Sequence, residues 1–223
     1  MALNKSKTDE KLGRCIEKYL NEKGVNTPYN DNNMSDEEKI SLIKDKFKDI
    51  MLTLGLDLSD DSLVDTPSRV AKMFVNEIYW GLKPENFPKC TTVENKMKYD
   101  EMVCEKNITC ISNCEHHFVT IDGVAHVAYI PKNKVLGLSK MNRIVEYFSR
   151  RPQIQERLTE QIYHALCYIL ETDEVAVVIN AKHYCVKSRG VEDNTSSTVT
   201  AKLGGRFKTD VSCRTEFYNH IKM

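Results

Sequence analysis

Cys114-Glu115-His116-His117-Phe118-Val119-Thr120-Ile121-Asp122-Gly123-Val124-Ala125-His126-Val127-Ala128-Tyr129-Ile130 decides how the chain is read. Upstream of about residue 93, apolar side chains recur at helical spacing. In this stretch the period is nearer two, the mark of strands. Residues 118–121 and 124–130 flank Asp122-Gly123, a dipeptide suited to a two-residue hairpin turn. The spacing therefore predicts a turn at Asp122-Gly123, with Cys114 to His117 at the entry to the hairpin.

Working outward, residues 102–111 form a further strand candidate. Earlier, Ser35-Asp36-Glu37-Glu38 reads as a capping box. Ile40, Ile43, Phe47, Ile50, Met51 and Leu54 follow at helical spacing, and Gly55 ends the run. Thr66-Pro67 opens another helix, with Thr66 as cap, that stops near Gly81. A short helix is predicted over 11–23. Downstream, Ser139 caps a helix over 139–150, and a longer one runs over 152–171, beginning at proline. An apolar strand over 174–179 leads into His183-Tyr184-Cys185. A turn at 188–190, a strand over 195–203 and a terminal helix over 209–223 follow. The order predicts an α+β fold, a mainly antiparallel sheet covered on one face. An N-terminal helical region (1–95) precedes a sheet-bearing catalytic domain (96–223).

The 223 residues suit one large domain, or one domain with an appendage, and 41% hydrophobic against 29% charged residues provides for a packed core. Net formal charge is zero, which argues against a general nucleic-acid surface. No segment approaches the ~20 apolar residues of a membrane helix. The polar, lysine-bearing start is no secretory signal. The expected location is cytoplasmic, with the eight cysteines reduced or ligating metal.

Cys114 and His117, two residues apart, can reach one ion from a turn, and Cys185 can supply a third ligand. Thiolate and neutral imidazole suit zinc, and three protein ligands leave a position for water, the catalytic pattern. Zinc lowers the pKa of such a water to about 7. A buried thiol or a Cys114–Cys185 disulfide are the plainer alternatives, and Cys110 is a competing thiol. His116 and His183 stand beside the ligands as candidate acid and base. Lys140 and Arg143 share a helix face behind Ser139. With Arg189, and with Arg69 and Lys72 on an earlier helix, they can cradle a polyphosphate. Gln155-Glu156 begins the long helix. A carboxylate there can accept from N1–H and the 2-amino group of guanine together, a donor pair that adenine lacks.

Residues 114–123 resemble the signature of the GTP cyclohydrolase I family. So do Gly137-Leu138-Ser139-Lys140-Met141-Asn142-Arg143, residues 151–159 and residues 183–190, in the family's order. The resemblance covers most of residues 36–208 and implies the tunnelling fold (T-fold). It also implies hydrolysis of GTP to 7,8-dihydroneopterin triphosphate and formate, with one Zn2+ per subunit. The expected assembly is a homodecamer of two pentameric rings with sites at subunit interfaces. By the same resemblance, Cys114, His117 and Cys185 are the expected zinc ligands, and His116 and His183 the proton-transfer residues. Glu156 is the expected guanine anchor, with Gln155 beside it. Ser139, Lys140, Arg143, Arg189 and Arg69 are the expected triphosphate contacts. Glu115 receives no role.

Overall fold

The computed structural model describes residues 3–222. Met1, Ala2 and Met223, the outermost residues of the two expected regions, lie outside it. Three helices come first: α1 (Glu10–Glu22), α2 (Asp36–Thr53) and α3 (Thr66–Lys72). Asp9 caps α1 by accepting from the Leu12 amide at 3.0 Å. At α2 the expected capping box forms, with Ser35 Oγ accepting from Glu38 N–H and Glu38 Oε2 from Ser35 N–H. The helix beginning at Thr66 is shorter than expected. Asp65 occupies the cap position, and after Lys72 the chain widens into a π-helical turn, Met73–Ile78.

The strands are β1 (Thr92–Glu94), β2 (Val103–Cys114), β3 (Thr120–Tyr129), β4 (Lys134–Leu136), β5 (Pro152–Gln153), β6 (Val175–His183) and β7 (Thr198–Leu203). β1 pairs with β4, and the other five form one sheet in the order β5-β2-β3-β6-β7. Every neighbouring pair in it is antiparallel except β5 with β2. Between and after the strands lie α4 (Leu138–Ser149), α5 (Gln155–Leu170), α6 (Tyr184–Lys187), α7 (Gly205–Thr209) and α8 (Val211–His220).

The hairpin exists, but its turn is not at Asp122-Gly123. β3 runs unbroken through both residues, with Ile111 opposite Asp122 and Cys110 opposite Gly123. The connection is residues 115–119, so the stretch expected at the entry is itself the turn. Gly123 serves close approach instead of turning. A Cβ there would stand 2.2 Å from the Asn180 carbonyl oxygen and 2.5 Å from Ala181 Cβ on β6. Two helix starts also move. Gly137 caps α4, leaving Ser139 inside the first turn. Pro152 does not open α5, since Pro152 and Gln153 pair parallel to Asn113 and Cys114.

α4 and α5 cover one face of the sheet. Ile144, Phe148, Leu158, Ile162 and Leu166 pack on Ile108, Ile121, Val127, Val177 and Ile179. Ile16, Leu20, Trp80 and Phe87 of the helical region join the same core. The other face is not bare. Ala128, Ala176 and Val178 pack against Phe207, Phe217 and Ile221 of the C-terminal segment. β6, apolar on both sides, is buried from Val175 to Ile179.

Candidate metal centre and active site

β2 ends, β3 begins and β6 ends at one edge of the sheet, where Ile121 pairs with His183. This register carries residues 114–119 and 183–185 to the same place. The turn is tight: Cys114 N–H donates to the Val119 carbonyl and Phe118 N–H to the Cys114 carbonyl, at 2.8 and 2.9 Å. Phe118 adopts a left-handed φ of 56°. Its ring meets Tyr79 edge-on at 5.6 Å and Phe74 at 6.3 Å, so the π-helical turn holds the tip of the loop. Glu115 N–H donates to the Gln153 carbonyl at 3.0 Å, extending the β2–β5 pairing.

Cys114, His117 and Cys185 converge, with one ligand atom from each lying within 4.8 Å of the others. Ligands about 2.0–2.3 Å from one tetrahedral ion stand only slightly closer together. Burial, followed by the hydrogen bond with the Cys114 thiol, raises the Cys185 pKa. Two adjacent thiols do not both ionise without a cation, so this pair suits a metal that takes both protons off. The eight cysteines are free, including this pair. His117 Nε2 accepts from Arg189 Nη1 at 2.9 Å, since a guanidinium only donates. The one lone pair of the neutral imidazole is thus engaged by Arg189, which would give it up to a metal at that nitrogen. Cys110 is elsewhere: fully buried, it faces Ser149 Oγ at 3.5 Å, and burial pushes its thiol up to about 11. Two thiols and an imidazole form a donor set suited to zinc with an open fourth position.

Two histidines flank that set differently. His116 is exposed, with Nδ1 3.6 Å from Cys114 Sγ. His183 is half-buried and its Nε2 lies 2.7 Å from Gln155 Oε1. Burial lowers the His183 pKa, and the neighbouring Glu156 carboxylate works against that. Gln155 itself is 1% exposed. Its amide nitrogen faces Ile179 O, Thr198 O and Thr200 Oγ1 at 3.1, 2.9 and 3.1 Å. Those acceptors orient the amide, so its oxygen is left to accept from His183. His183 Nε2 therefore carries the proton and Nδ1 is the free base site. Gln155, expected beside the substrate, joins His183 to β6 and β7. Glu156, the next residue, is exposed.

The expected phosphate contacts fall into groups. Arg189 is at the cluster. Ser139, Lys140 and Arg143 occupy the first turns of α4. Lys140 and Arg143 lie near Cys90, where they oppose the burial that pushes its thiol up to about 12. Arg143 lines a cleft with Lys7, Trp80 and Glu146. Arg69, on α3, pairs with Asp65 at 3.6 Å in solvent. Among the described residues, no hydrogen bond or ion pair joins these four to the cluster.

One pair was invisible in the sequence. Arg157 places Nη1 2.5 Å and Nη2 3.3 Å from the two oxygens of Glu115. Opposite charges on the loop and on the first turn of α5 are the only sequence signal, and it does not identify partners 42 residues apart.

Comparison with known proteins bears on this arrangement. The family model described as GTP cyclohydrolase I matches residues 43–222. A "GTP cyclohydrolase 1" of Shewanella sp. (strain MR-7) is 55% identical over 207 residues, 93% of this chain and 96% of the relative. One of Aeromonas salmonicida (strain A449) is 56% identical, covering 91% of this chain and 93% of its own. One of Vibrio campbellii is 54% identical, covering 94% and 96%.

Proposed function

Because the chain belongs to the GTP cyclohydrolase I family, we propose that the cluster at Cys114, His117 and Cys185, with its flanking histidines, carries out that family's reaction. The reaction is hydrolysis of GTP to 7,8-dihydroneopterin triphosphate and formate, a step of pterin and folate synthesis. The observation that carries the site assignment is the convergence of two thiols and one imidazole beside two further histidines.

Cys114, His117 and Cys185 hold zinc, which supplies Lewis-acid activation of water for attack on C8 of the base. Glu156 accepts from N1–H and the 2-amino group and so orients guanine. His116, exposed beside Cys114, donates a proton to N7 and makes C8 electrophilic. His183, biased towards the neutral form by burial, accepts protons at Nδ1 while Gln155 holds Nε2–H. Once the imidazole ring has opened, a second hydrolysis releases C8 as formate. The ribose then opens, rearranges and recloses onto the ring nitrogens. Arg189, Ser139, Lys140, Arg143 and Arg69 bind the triphosphate, which is not cleaved.

The last four residues do not reach the cluster within one chain, which favours a site completed by another subunit. The homodecamer of two pentameric rings provides for this. Two further features support assembly. β5 covers only Asn113 and Cys114 of β2, and β7 ends the sheet, so both edges offer unpaired backbone. On α2 and at its C-cap, Ile50 and Leu54 are 52% and 72% exposed. Residues 96–223 form the catalytic unit and 1–95 a helical region packed on it. We place the enzyme in the cytoplasm, where eight free cysteines persist. No helix among the described residues is long and apolar enough to cross a membrane.

The test is purified protein with GTP, followed for pterin absorbance and formate, with and without chelator. Both products should appear, vanish with chelator and return with Zn2+. Full activity in metal-free protein, or GTP consumed without formate, overturns the assignment.

A further inference from the structure

We propose that Arg157 is a positioning residue: through its two hydrogen bonds to Glu115 it holds loop 114–118 in register with the base-binding turn of α5. A guanine recognised there is thereby presented to His116 in reacting geometry. The inference rests on Glu156 as the guanine anchor.

Loop 114–118 is held both from within and from outside. Its internal bonds, Cys114 N–H to Val119 O and Phe118 N–H to Cys114 O, set its shape but not its tilt against α5. Two contacts tie it to the segment entering that helix. One is backbone, Glu115 N–H to Gln153 O at 3.0 Å. The other is the Arg157–Glu115 pair, whose two bonds at 2.5 and 3.3 Å fix a plane as well as a distance. The Arg157 and Glu115 side chains are only 16% and 25% exposed, against 70% and 68% for the solvated Arg69–Asp65 pair. Salt screens such a pair less, and its side chains have fewer alternatives.

Position gives the pair its consequence. Glu115 stands between Cys114, a ligand, and His116, the acid. Arg157 follows Glu156. Successive helical residues diverge by about 100°. One turn of α5 can therefore address three partners: Gln155 holds His183, Glu156 faces the open site and Arg157 holds the loop. Base recognition and both proton-transfer groups are referred to a single rigid turn.

The test uses the full-length zinc-loaded enzyme carrying Glu115→Gln, Arg157→Met and both together, with GTP kinetics and zinc per chain measured. Misplacement on the ångström scale costs roughly tenfold to 10²-fold in kcat. The expected result is that loss, with KM for GTP within about twofold and zinc retained. The double variant should be no worse than the poorer single, because the two residues act as a unit. Arg157→Lys, which keeps the charge without the paired geometry, should lose less, and it serves as the readout if Arg157→Met does not fold. A raised KM with kcat intact, loss of zinc, or penalties that multiply would overturn the proposal. Glu156→Ala, run in parallel, separates the two readings. If its KM is unchanged the anchor assignment fails, whereas the fate of kcat in the Glu115 and Arg157 variants judges the pair.

Discussion

His183 Nε2 lies 2.7 Å from Gln155 Oε1, and Gln155 is anchored on its other side by two backbone carbonyls. An amide oxygen only accepts, so the imidazole is held with its proton on the Gln155 side and its base site turned away. Gln155→Met keeps the bulk and removes this control. It should lower kcat by roughly 10²-fold, the scale of one well-placed acid or base. It also leaves buried acceptors without a donor, a loss of about 1–3 kcal/mol. Steady-state kinetics and a urea midpoint measured on the same sample report both effects.

Cys185→Ser removes one thiolate of the converged set while leaving α6 and β6 their backbone bonds. Bound zinc and formate release should both be lost. Far-UV circular dichroism should be unchanged, because no buried apolar side chain is altered. Metal analysis beside the formate assay decides it.

Glu156→Ala deletes the carboxylate proposed to accept from the guanine donor pair. Hydrogen bonds to a charged group contribute about 1.5–3 kcal/mol, which corresponds to a KM for GTP roughly ten- to a hundredfold higher. Zinc should stay at the wild-type level. Unchanged KM would refute the anchor assignment.

His126 gives a pH prediction independent of the site. It is 2% exposed, accepts from Asn107 N–H at Nδ1 (3.3 Å), and its Nε2 has no partner among the described residues. Burial, with Lys106 adding to it, lowers its pKa below the ordinary imidazole value of about 6.5. On acidification the unfolded chain therefore takes up the proton first, and stability present above about pH 6.5 is lost as pH falls towards the folded pKa. His126→Gln should flatten the fall of melting temperature between pH 7 and 5 relative to wild type. An unchanged slope would assign that fall to other groups.

Gly123→Ala tests the reassigned hairpin. If Gly123 were in a turn, alanine would be a matter of backbone φ. In mid-strand its Cβ meets the Asn180 carbonyl oxygen at 2.2 Å, a backbone atom with little freedom to retreat. Destabilisation of about 1–3 kcal/mol or more is expected from such overpacking. A denaturation midpoint equal to wild type would contradict the register.

Local signals were legible where chemistry and chain geometry coincide. Ser35 to Glu38 announces α2, and Cys114, His117 and Cys185 announce a metal set. What failed depended on distant neighbours. Asp122-Gly123 carries turn chemistry, but the glycine answers to Asn180, which no local window contains. Pro152 reads as a helix start, yet it pairs with Asn113 on β2. The partners of Gln155 on β6 and β7 are likewise known only once the sheet is built. The pairing of Glu115 with Arg157, 42 residues away, is hidden from any local window for the same reason. The family resemblance supplied the reaction, which spacing alone could not.

The place where β2 turns into β3 has one more consequence, for how this protein can vary. Hairpin ends are ordinarily where a chain absorbs insertions and deletions, since little else depends on their length. Here the connection carries both halves of a Cys-x-x-His set, the Glu115 tether and the left-handed Phe118. One residue added between Cys114 and Phe118 would shift at least one of the four against the others. Length variation, peptide tags and grafted loops should thus be tolerated at the polar segments 30–34 or 190–197 and rejected at this hairpin, inverting the usual map of where a sheet protein accepts change.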